Sequence, residues 1–512
     1  MKKLIIHVLF FLSFTNHPVS GQVIGNSKAA IVLHPSANEE MPDSILVKVF
    51  NGIVESNLEN IVLKKNATGD FLLYLPKNQP IIPFQITAFY DFEKRDIQSS
   101  DILYAEPADH LVITFKKNSN PKSSFMNLIL DFSGPKSEKY KVLTLLNDRN
   151  RDFLSNQKKK NDLLKDDLKD SDFYKSTKFR EFLNVLFEDI KVDLLKNNAS
   201  IIENEALLGA NISTFFKYEL SSYNNFRYYI NLLLDSFNSK EAKQLLSDFY
   251  FSKITFLRPI STDPLIKYSR NYKLSRSFDA MFEVKLKKLG NFYAFTDQYN
   301  EIKKMDNGAL KECLLTQIFT YPLLSQYISD NSSRDSCLNE ALKIVSMPEL
   351  KEALRSQLLF SKGSKIYDFS FQDTSGNFVS LKSMVGKVFM IDFSFLGCSG
   401  CALFSEKFRE KVHPEFINNP KFKILSVNTD NTREKWFKAI RSKKFSQEGA
   451  IELTTGNISW NHPMLKYYNA NAFPFILLVN KDGKLISRIT LLDIYVNSAG
   501  VAKMIRDSLT AI

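Results

Sequence analysis

Residues 393–401 read FSFLGCSGC, and this stretch decides the fold of the C-terminal region. The apolar run VFMIDF, residues 388–393, leads into it, and residues 402–416 follow with a helix-compatible pattern. Cys398 and Cys401 stand at the join, two residues apart. A strand, a Cys-x-x-Cys pair and a helix in that order predict a small disulfide closed across the first helical turn. The first sulfur then sits at a helix N-terminus. There, unpaired N–H groups and the positive end of the helix dipole favour thiolate over thiol.

A Cys-x-x-Cys pair is also half of a zinc site, but zinc wants four ligands. The other cysteines, Cys313 and Cys337, are not closely paired, and the six histidines show no ligand spacing. Metal binding is therefore not expected, which leaves a redox pair or an inert structural bridge. Asp392 favours the redox pair. It lies six residues before Cys398 inside the apolar run, where a carboxylate costs free energy unless it has a task or a partner. Pro474 stands directly before the apolar run FILLV, residues 475–479. Proline is tolerated as a strand's first residue, and a cis Phe473–Pro474 bond is the sharper expectation.

From about residue 363 to 512, these features resemble a thioredoxin-like domain of the TlpA/ResA type. The opening DFSFQDTSGNFVSLKSMVGKVFMIDFSFLGCSGC and the closing hairpin VNKDGKLISRI, with Asp482-Gly483 as its turn, carry the likeness. The resemblance implies that Cys398 is the nucleophile, that Cys401 resolves the mixed disulfide, and that Pro474 faces both. It also implies that Asp392 assists proton transfer at Cys401, as the buried aspartate of thioredoxins does. Phe473 and Gly397 are then substrate-binding candidates, since Gly397 stands where the family usually has tryptophan and leaves space. The dipeptide Ser399-Gly400 departs from the family's Gly-Pro or Glu-Pro, and Asp430-Asn431 stand in for a glutamate of membrane-tethered relatives. Peroxiredoxins carry threonine three residues before their reactive cysteine, where this chain has Phe395. Copper chaperones of the fold use a wider cysteine spacing and a distant histidine; His462 is read as a loop residue.

A chain of 512 residues is long enough for several domains. Only 17 glycines and 17 prolines exclude a collagen-like or extended disordered architecture, and 43 phenylalanines can fill large cores. The net charge of +12 comes without an arginine-rich tract or nucleic-acid motif, so nucleic acid is not an expected partner. Residues 1–21 read as a signal peptide. A basic MKK precedes the apolar LIIHVLFFLSF, and Val19-Ser20-Gly21 places small residues before Gln22. The mature protein is expected in an oxidising compartment, where disulfides persist. The Lys-, Asn-, Ile- and Phe-rich composition is similar to that of secreted Bacteroidetes proteins, which makes the compartment the periplasm.

Residues 22–135 read as a β-rich domain, a small sandwich or barrel, from short runs such as SILVKVF, GDFLLYL, PFQITAFY and HLVITFKK. Residues 136–360 turn helical, with apolar residues three and four apart in FREFLNVLFEDIKVDLL and KEAKQLLSDFYF. SKGSK, residues 361–365, reads as the linker into a redox domain over 361–512. The fold class is thus multidomain α+β with a C-terminal thioredoxin-like α/β domain. Cys313 and Cys337 lie on successive helical runs, and a helical hairpin would let them form a structural disulfide. The function expected is thiol–disulfide exchange with disulfides or dithiols of envelope proteins. It would be fed by an upstream dithiol donor, with no diffusible cofactor and no required membrane association. A non-enzymatic envelope binding module with an inert Cys398–Cys401 bridge and a thiol peroxidase are the alternatives.

Overall fold

This computed structural model describes residues 29–510, except 38–40, 43, 51–52, 55–57, 76–78, 92–95, 108, 119–127, 163–171, 222–225, 258–262, 292, 306–307, 322–323, 325–327, 331–332 and 471–472. The expected signal peptide lies outside the described residues. Among those described, no helix is long and apolar enough to cross a membrane. The chain divides into two compact units, one ending at Ala353 and one running from Leu354 to Ile512.

Among the described residues, the first unit has eight strands ahead of its helices: β1 (Ala29–Pro35), β2 (Ser44–Phe50), β3 (Leu58–Leu63), β4 (Phe71–Leu75), β5 (Ile82–Asp91), β6 (Asp96–Ala105), β7 (His110–Lys117) and β8 (Leu128–Ser133). They form two four-stranded sheets, ordered β4-β1-β7-β8 and β3-β2-β5-β6. The alternation in FLLYL, buried at every second residue, shows why: one face of each strand is apolar and must be covered. Both sheets feed one core, with Ile31, Val47, Phe84 and Phe115 among its members, so the β region is a sandwich. The sequence runs picked out β2, β4, β5 and β7; the structure adds β1, β3, β6 and β8.

Among the described residues, eleven α-helices follow: α1 (Ser137–Asp162), α2 (Thr177–Glu203), α3 (Glu205–Leu208), α4 (Ala210–Ser221), α5 (Phe226–Ser236), α6 (Lys240–Leu257), α7 (Arg270–Lys287), α8 (Phe295–Lys303), α9 (Gly308–Thr320), α10 (Arg334–Ile344) and α11 (Pro348–Gln357). A short pair, β9 (Tyr293–Ala294) and β10 (Ile328–Asp330), lies among them. The core shared by α2, α5, α6 and α7 is aromatic: Phe226 stacks on Tyr250 at 5.5 Å, and Tyr250 meets Phe282 edge-on at 5.2 Å. The β-rich and helical regions belong to the same unit. Ile81 and Tyr104 pack with Leu143, Phe215 and Phe216, and the buried Lys273 ammonium donates to the Ile53 carbonyl at 2.7 Å.

The second unit holds β11 (Ser370–Asp373), β12 (Phe378–Ser380), α12 (Leu381–Met384), β13 (Val388–Ser394), α13 (Ser399–Lys411), β14 (Phe422–Asn428), α14 (Arg433–Ser442), β15 (Ile451–Thr454), α15 (Pro463–Tyr467), β16 (Phe475–Val479), β17 (Leu485–Ile489), α16 (Leu491–Val496) and α17 (Ser498–Thr510). One seven-stranded sheet runs β12-β11-β15-β14-β13-β16-β17. β13 is buried at all seven residues, which is why its sequence is a continuous apolar run and not an alternation. Phe389, Ile391 and Phe393 enter the core on one face; Val388 and Met390 enter a second core on the other, with Phe404 and Phe408 of α13. The SKGSK stretch is no free linker. The Gly363 N–H donates to the Leu485 carbonyl, the Leu485 N–H to the Ser364 carbonyl, both at 2.8 Å, and Ile366 bonds Gly483. The closing turn forms at Asp482-Gly483, with Gly483 at φ +73° and the Asn480 side chain accepting from the Asp482 and Lys484 N–H groups.

Candidate active site

β13 ends at Ser394, and four residues later Cys398 caps α13. Cys398 and Cys401 are joined, with S–S 2.01 Å and Cα–Cα 5.3 Å. The Cys398 sulfur accepts the Cys401 N–H at 3.1 Å. It thereby satisfies one of the donors a helix start leaves unpaired, the role usually played by a serine or aspartate oxygen. On reduction, that N–H and the helix dipole favour a thiolate at Cys398. Cys398 is 5% exposed and Cys401 2%.

Gly397 has φ +91°, a conformation an L side chain rarely adopts. Backbone geometry therefore accounts for glycine at the position where the family usually has tryptophan, and Gly397 is exposed. The loop before it is held from β14. The Leu396 N–H donates to the Asp430 carboxylate at 2.8 Å, and Asn428 holds the same oxygen at 2.9 Å. The Thr429 N–H closes onto the Ser394 carbonyl at 2.8 Å. Asp430 thus sets the approach of the chain to Cys398.

The Phe473–Pro474 bond is cis. A Cβ built on Gly400 would lie 3.3 Å from the Pro474 ring and 3.4 Å from the Phe473 carbonyl oxygen, so Pro474 adjoins the Cys-x-x-Cys turn. Phe473 itself is buried. Trp460 packs edge-on against it at 4.1 Å and Phe395 at 5.8 Å, so this substrate-binding candidate is covered by aromatic rings. Phe395 also meets Trp460 at 5.4 Å. Trp460 escaped the sequence reading; it arrives from a loop sixty residues downstream of the cysteines, and its local sequence GNISWN carries no redox signal. Ser459 aims that loop, donating to the Thr429 carbonyl at 2.5 Å.

Asp392 is buried, and its Oδ1 has no hydrogen-bond partner among the described residues. Burial, and then the charge of Glu452, push its carboxyl up to about 8. By alternation along β13, its side chain shares the face of Val388 and Met390, which pack against Phe404 and Phe408 of α13, while Cys401 at the start of that helix joins the core of the other face. Asp392 is thus placed under the helix of the resolving cysteine.

Cys313 and Cys337 correct the sequence reading: both are buried thiols outside any disulfide. Cys337 faces Tyr299 and Glu340, and burial pushes its thiol up to about 11. His462 caps α15, its Nδ1 accepting the Met464 N–H at 3.2 Å, with its ring 4.8 Å from Phe371. Among the described residues, no three His, Cys, Asp or Glu side chains group as metal ligands.

Residues 386–485 match a thioredoxin-like family model. The chain is similar to the thioredoxin domain of a thiol-disulfide oxidoreductase from Bacteroides vulgatus. The two share 29% identity over 28% of this chain and 98% of that one, with a TM-score of 0.24. It is similar also to a thiol:disulfide interchange protein from a Bacteroides species, with 28% identity over 29% of this chain and 91% of that one, and a TM-score of 0.25. No curated protein matches. The C-terminal unit thus holds a thioredoxin-like region, in a chain whose first unit is β-rich and then helical.

Proposed function

We propose that the chain is a periplasmic or secreted thiol–disulfide oxidoreductase that exchanges disulfides with proteins of the cell envelope. The observation that carries this reading is Cys398 as the helix cap, its sulfur accepting the Cys401 N–H. In the reduced enzyme, the Cys398 thiolate attacks one sulfur of a partner's disulfide. The partner's S–S bond breaks, its second sulfur leaves as a thiolate and takes a proton from water, and a mixed disulfide forms. Cys401 gives up its proton and attacks the Cys398 sulfur. The mixed disulfide breaks, the partner is released with two thiols, and the enzyme holds the Cys398–Cys401 bond. An upstream dithiol protein supplies the two electrons that restore the enzyme. The reverse sequence oxidises a dithiol partner. Pro474, next to the Cys-x-x-Cys turn, offers the backbone edge along which an extended partner segment would lie.

The test is insulin reduction by dithiothreitol. The purified chain is expected to accelerate precipitation of the insulin B chain, and Cys398→Ser is expected to return the rate to background. A wild-type rate equal to background reads Cys398–Cys401 as an inert bridge. Peroxide-dependent oxidation of Cys398 far faster than that of free cysteine would replace the proposal with a thiol peroxidase. For location, a fusion to an alkaline phosphatase reporter is expected to be active, since the reporter needs disulfides that form only outside the cytoplasm; a fusion that is made but inactive removes the envelope from the proposal.

A further inference from the structure

The sheet beneath α13 carries a row of three polar side chains that no strand shows by itself. β13 pairs with β14 in parallel with Asp392 opposite Ser426, and β14 pairs with β15 in parallel with Ser426 opposite Glu452. Residues in register on neighbouring strands point to the same face. Asp392, Ser426 and Glu452 therefore stand side by side, with the two carboxylates two strand spacings apart, about 10 Å between backbones. Ser426 hydrogen-bonds Glu452. Asp392 is sealed and Ser426 buried, while Glu452 is half-buried. The row thus leads from beneath the cysteine helix toward solvent.

The outer end of the row is tied to α13. Glu452 accepts the Ser446 hydroxyl. The Ser446 carbonyl accepts the Ser405 hydroxyl at 3.1 Å and the Arg409 guanidinium at 2.8 Å. Gln447 donates to the Ser405 hydroxyl at 2.9 Å. Ser405 lies one turn beyond Cys401 on the buried face of the same helix.

The ionisable groups over this face from the packed elements are Cys401 and Arg409 on α13, His413 just after it, Glu448 in the loop before β15, and Asp493 and Tyr495 on α16. Asp493 is engaged by Thr490. α17 buries Val501, Ala502 and Ile505, and its Arg506 pairs with Glu415. The charge that acts on Asp392 is that of Glu452.

We propose that Glu452 is a positioning residue for the resolving step: standing in one row on the sheet face beneath α13, with Ser426 between them, Asp392 and Glu452 share a single proton and titrate as a pair. Two carboxylates in a poorly solvated site resist ionising together. In the single-proton state with the proton on Glu452, Asp392 is the carboxylate. Asp392 as carboxylate then accepts the Cys401 proton. The Cys401 thiolate attacks the Cys398 sulfur, the bond from Cys398 to the partner breaks, and the partner leaves as a thiolate that is protonated by water. The pair now holds two protons, and the half-exposed Glu452 returns one to solvent. Thiols and disulfides balance as in the exchange above; the pair adds only an acceptor for the proton. This inference rests on the proposed function for its kinetic consequence, but not for the titration itself.

The experiment follows the Asp392 carboxyl by carbon-13 NMR in the oxidised full-length protein, with Ellman's reagent as the kinetic probe. That reagent loads Cys398 in a first release of thionitrobenzoate, and resolution by Cys401 gives the second. In wild type the Asp392 signal is expected to titrate in two coupled steps. In Glu452→Gln it is expected to titrate in one step, with its midpoint lower by about one pH unit. The pH profile of the second release is expected to move by the same amount, while that of the first release stays put. Glu452→Asp keeps the charge and is expected to restore two-step behaviour. It also serves if the glutamine variant does not fold. Asp392 titrations that superimpose in wild type, Glu452→Gln and Glu452→Asp overturn the pair. Failure of wild-type insulin reduction removes the proposed function and leaves the titration to decide the pair alone.

Discussion

In the unit that ends at Ala353, the buried Lys139 ammonium meets the buried Asp109 carboxylate and, at 3.2 Å, Glu106. The Tyr140 hydroxyl donates a further bond to Asp109 at 2.9 Å. Glu219 is as deeply buried and accepts from Ser269, from Tyr104 at 3.0 Å and from Asn271 at 2.7 Å. In the unit that starts at Leu354, Asp392 is equally deep, yet one of its oxygens meets no donor and its nearest charge is another acid. The first unit uses buried charge as most folds do, paired and bonded, so that desolvation is offset on the spot. The second leaves a buried acid with an oxygen unbonded beneath the helix that starts at Cys398. An unpaired buried acid persists when the surrounding fold holds it and the chemistry uses it.

Cysteine reactivity should show the largest difference between the units. In the reduced protein, iodoacetamide near neutral pH is expected to label Cys398 first. Cys337, with its thiol pushed up to about 11, holds only ~10⁻⁴ of its population as thiolate at pH 7 and is expected to react at least ~10³-fold more slowly. Peptide mapping by mass spectrometry reads both. First labelling of Cys401 or Cys337 would break the comparison at its root.

Next comes the paired charge. Lys139→Met strands Asp109 and Glu106 and is expected to destabilise the first unit by about 3–5 kcal/mol. Both tryptophans, Trp436 and Trp460, lie in the second unit. Tryptophan fluorescence in a urea titration therefore reports that unit, while far-UV circular dichroism reports both. A shift confined to the tryptophan signal contradicts the assignment.

Asp392 should respond with the opposite sign. Its folded-state value of about 8 stands above the usual carboxylate value near 4. The folded state therefore keeps a proton that the unfolded chain has already lost. The stabilising contribution is complete below pH ~4 and is lost as pH rises through ~8. Asp392→Asn removes that loss, so the variant is expected to be more stable than wild type by about 2–4 kcal/mol at pH 9, with the gap closing toward pH 4. Parallel stability curves for the two proteins across that range would show Asp392 to be an ordinary buried carboxyl.

The smallest effect is expected at the turn. Gly397→Ala forces a side chain onto φ +91° and is expected to cost about 1–2 kcal/mol, read from the tryptophan-detected midpoint. No change in midpoint would show that the loop relaxes freely and that Asp430 does not hold it.

Much of the site was legible in the chain because its signals are local. Cys-x-x-Cys spacing is a helical-turn property, the Asp392 offset is counted along one strand, and Pro474 sits at the first residue before an apolar run. The β2, β4, β5 and β7 strands and most long helices were legible for the same reason, since burial imposes a period on neighbours in sequence. Strands such as β6, DIQSSDILYA, mix polar and apolar residues and show no such period. Gly397 was read as space when its φ was the reason. SKGSK was read as a linker because its composition is that of one, whereas its backbone bonds go to a hairpin more than a hundred residues away.

By itself, the sequence determined a thioredoxin-like redox unit after a β-rich and a helical region, and which two sulfurs would meet, because those rest on short-range spacing and on the period of burial. Tertiary structure decided the rest. Parallel register set Ser426 and Glu452 beside Asp392, a distant loop brought Trp460 onto Phe473, and helix packing left Cys313 and Cys337 outside any disulfide. Each of these depends on which strand or helix lies next to which. A sheet places residues thirty to sixty positions apart within one hydroxyl of each other, and no count along the chain contains that adjacency.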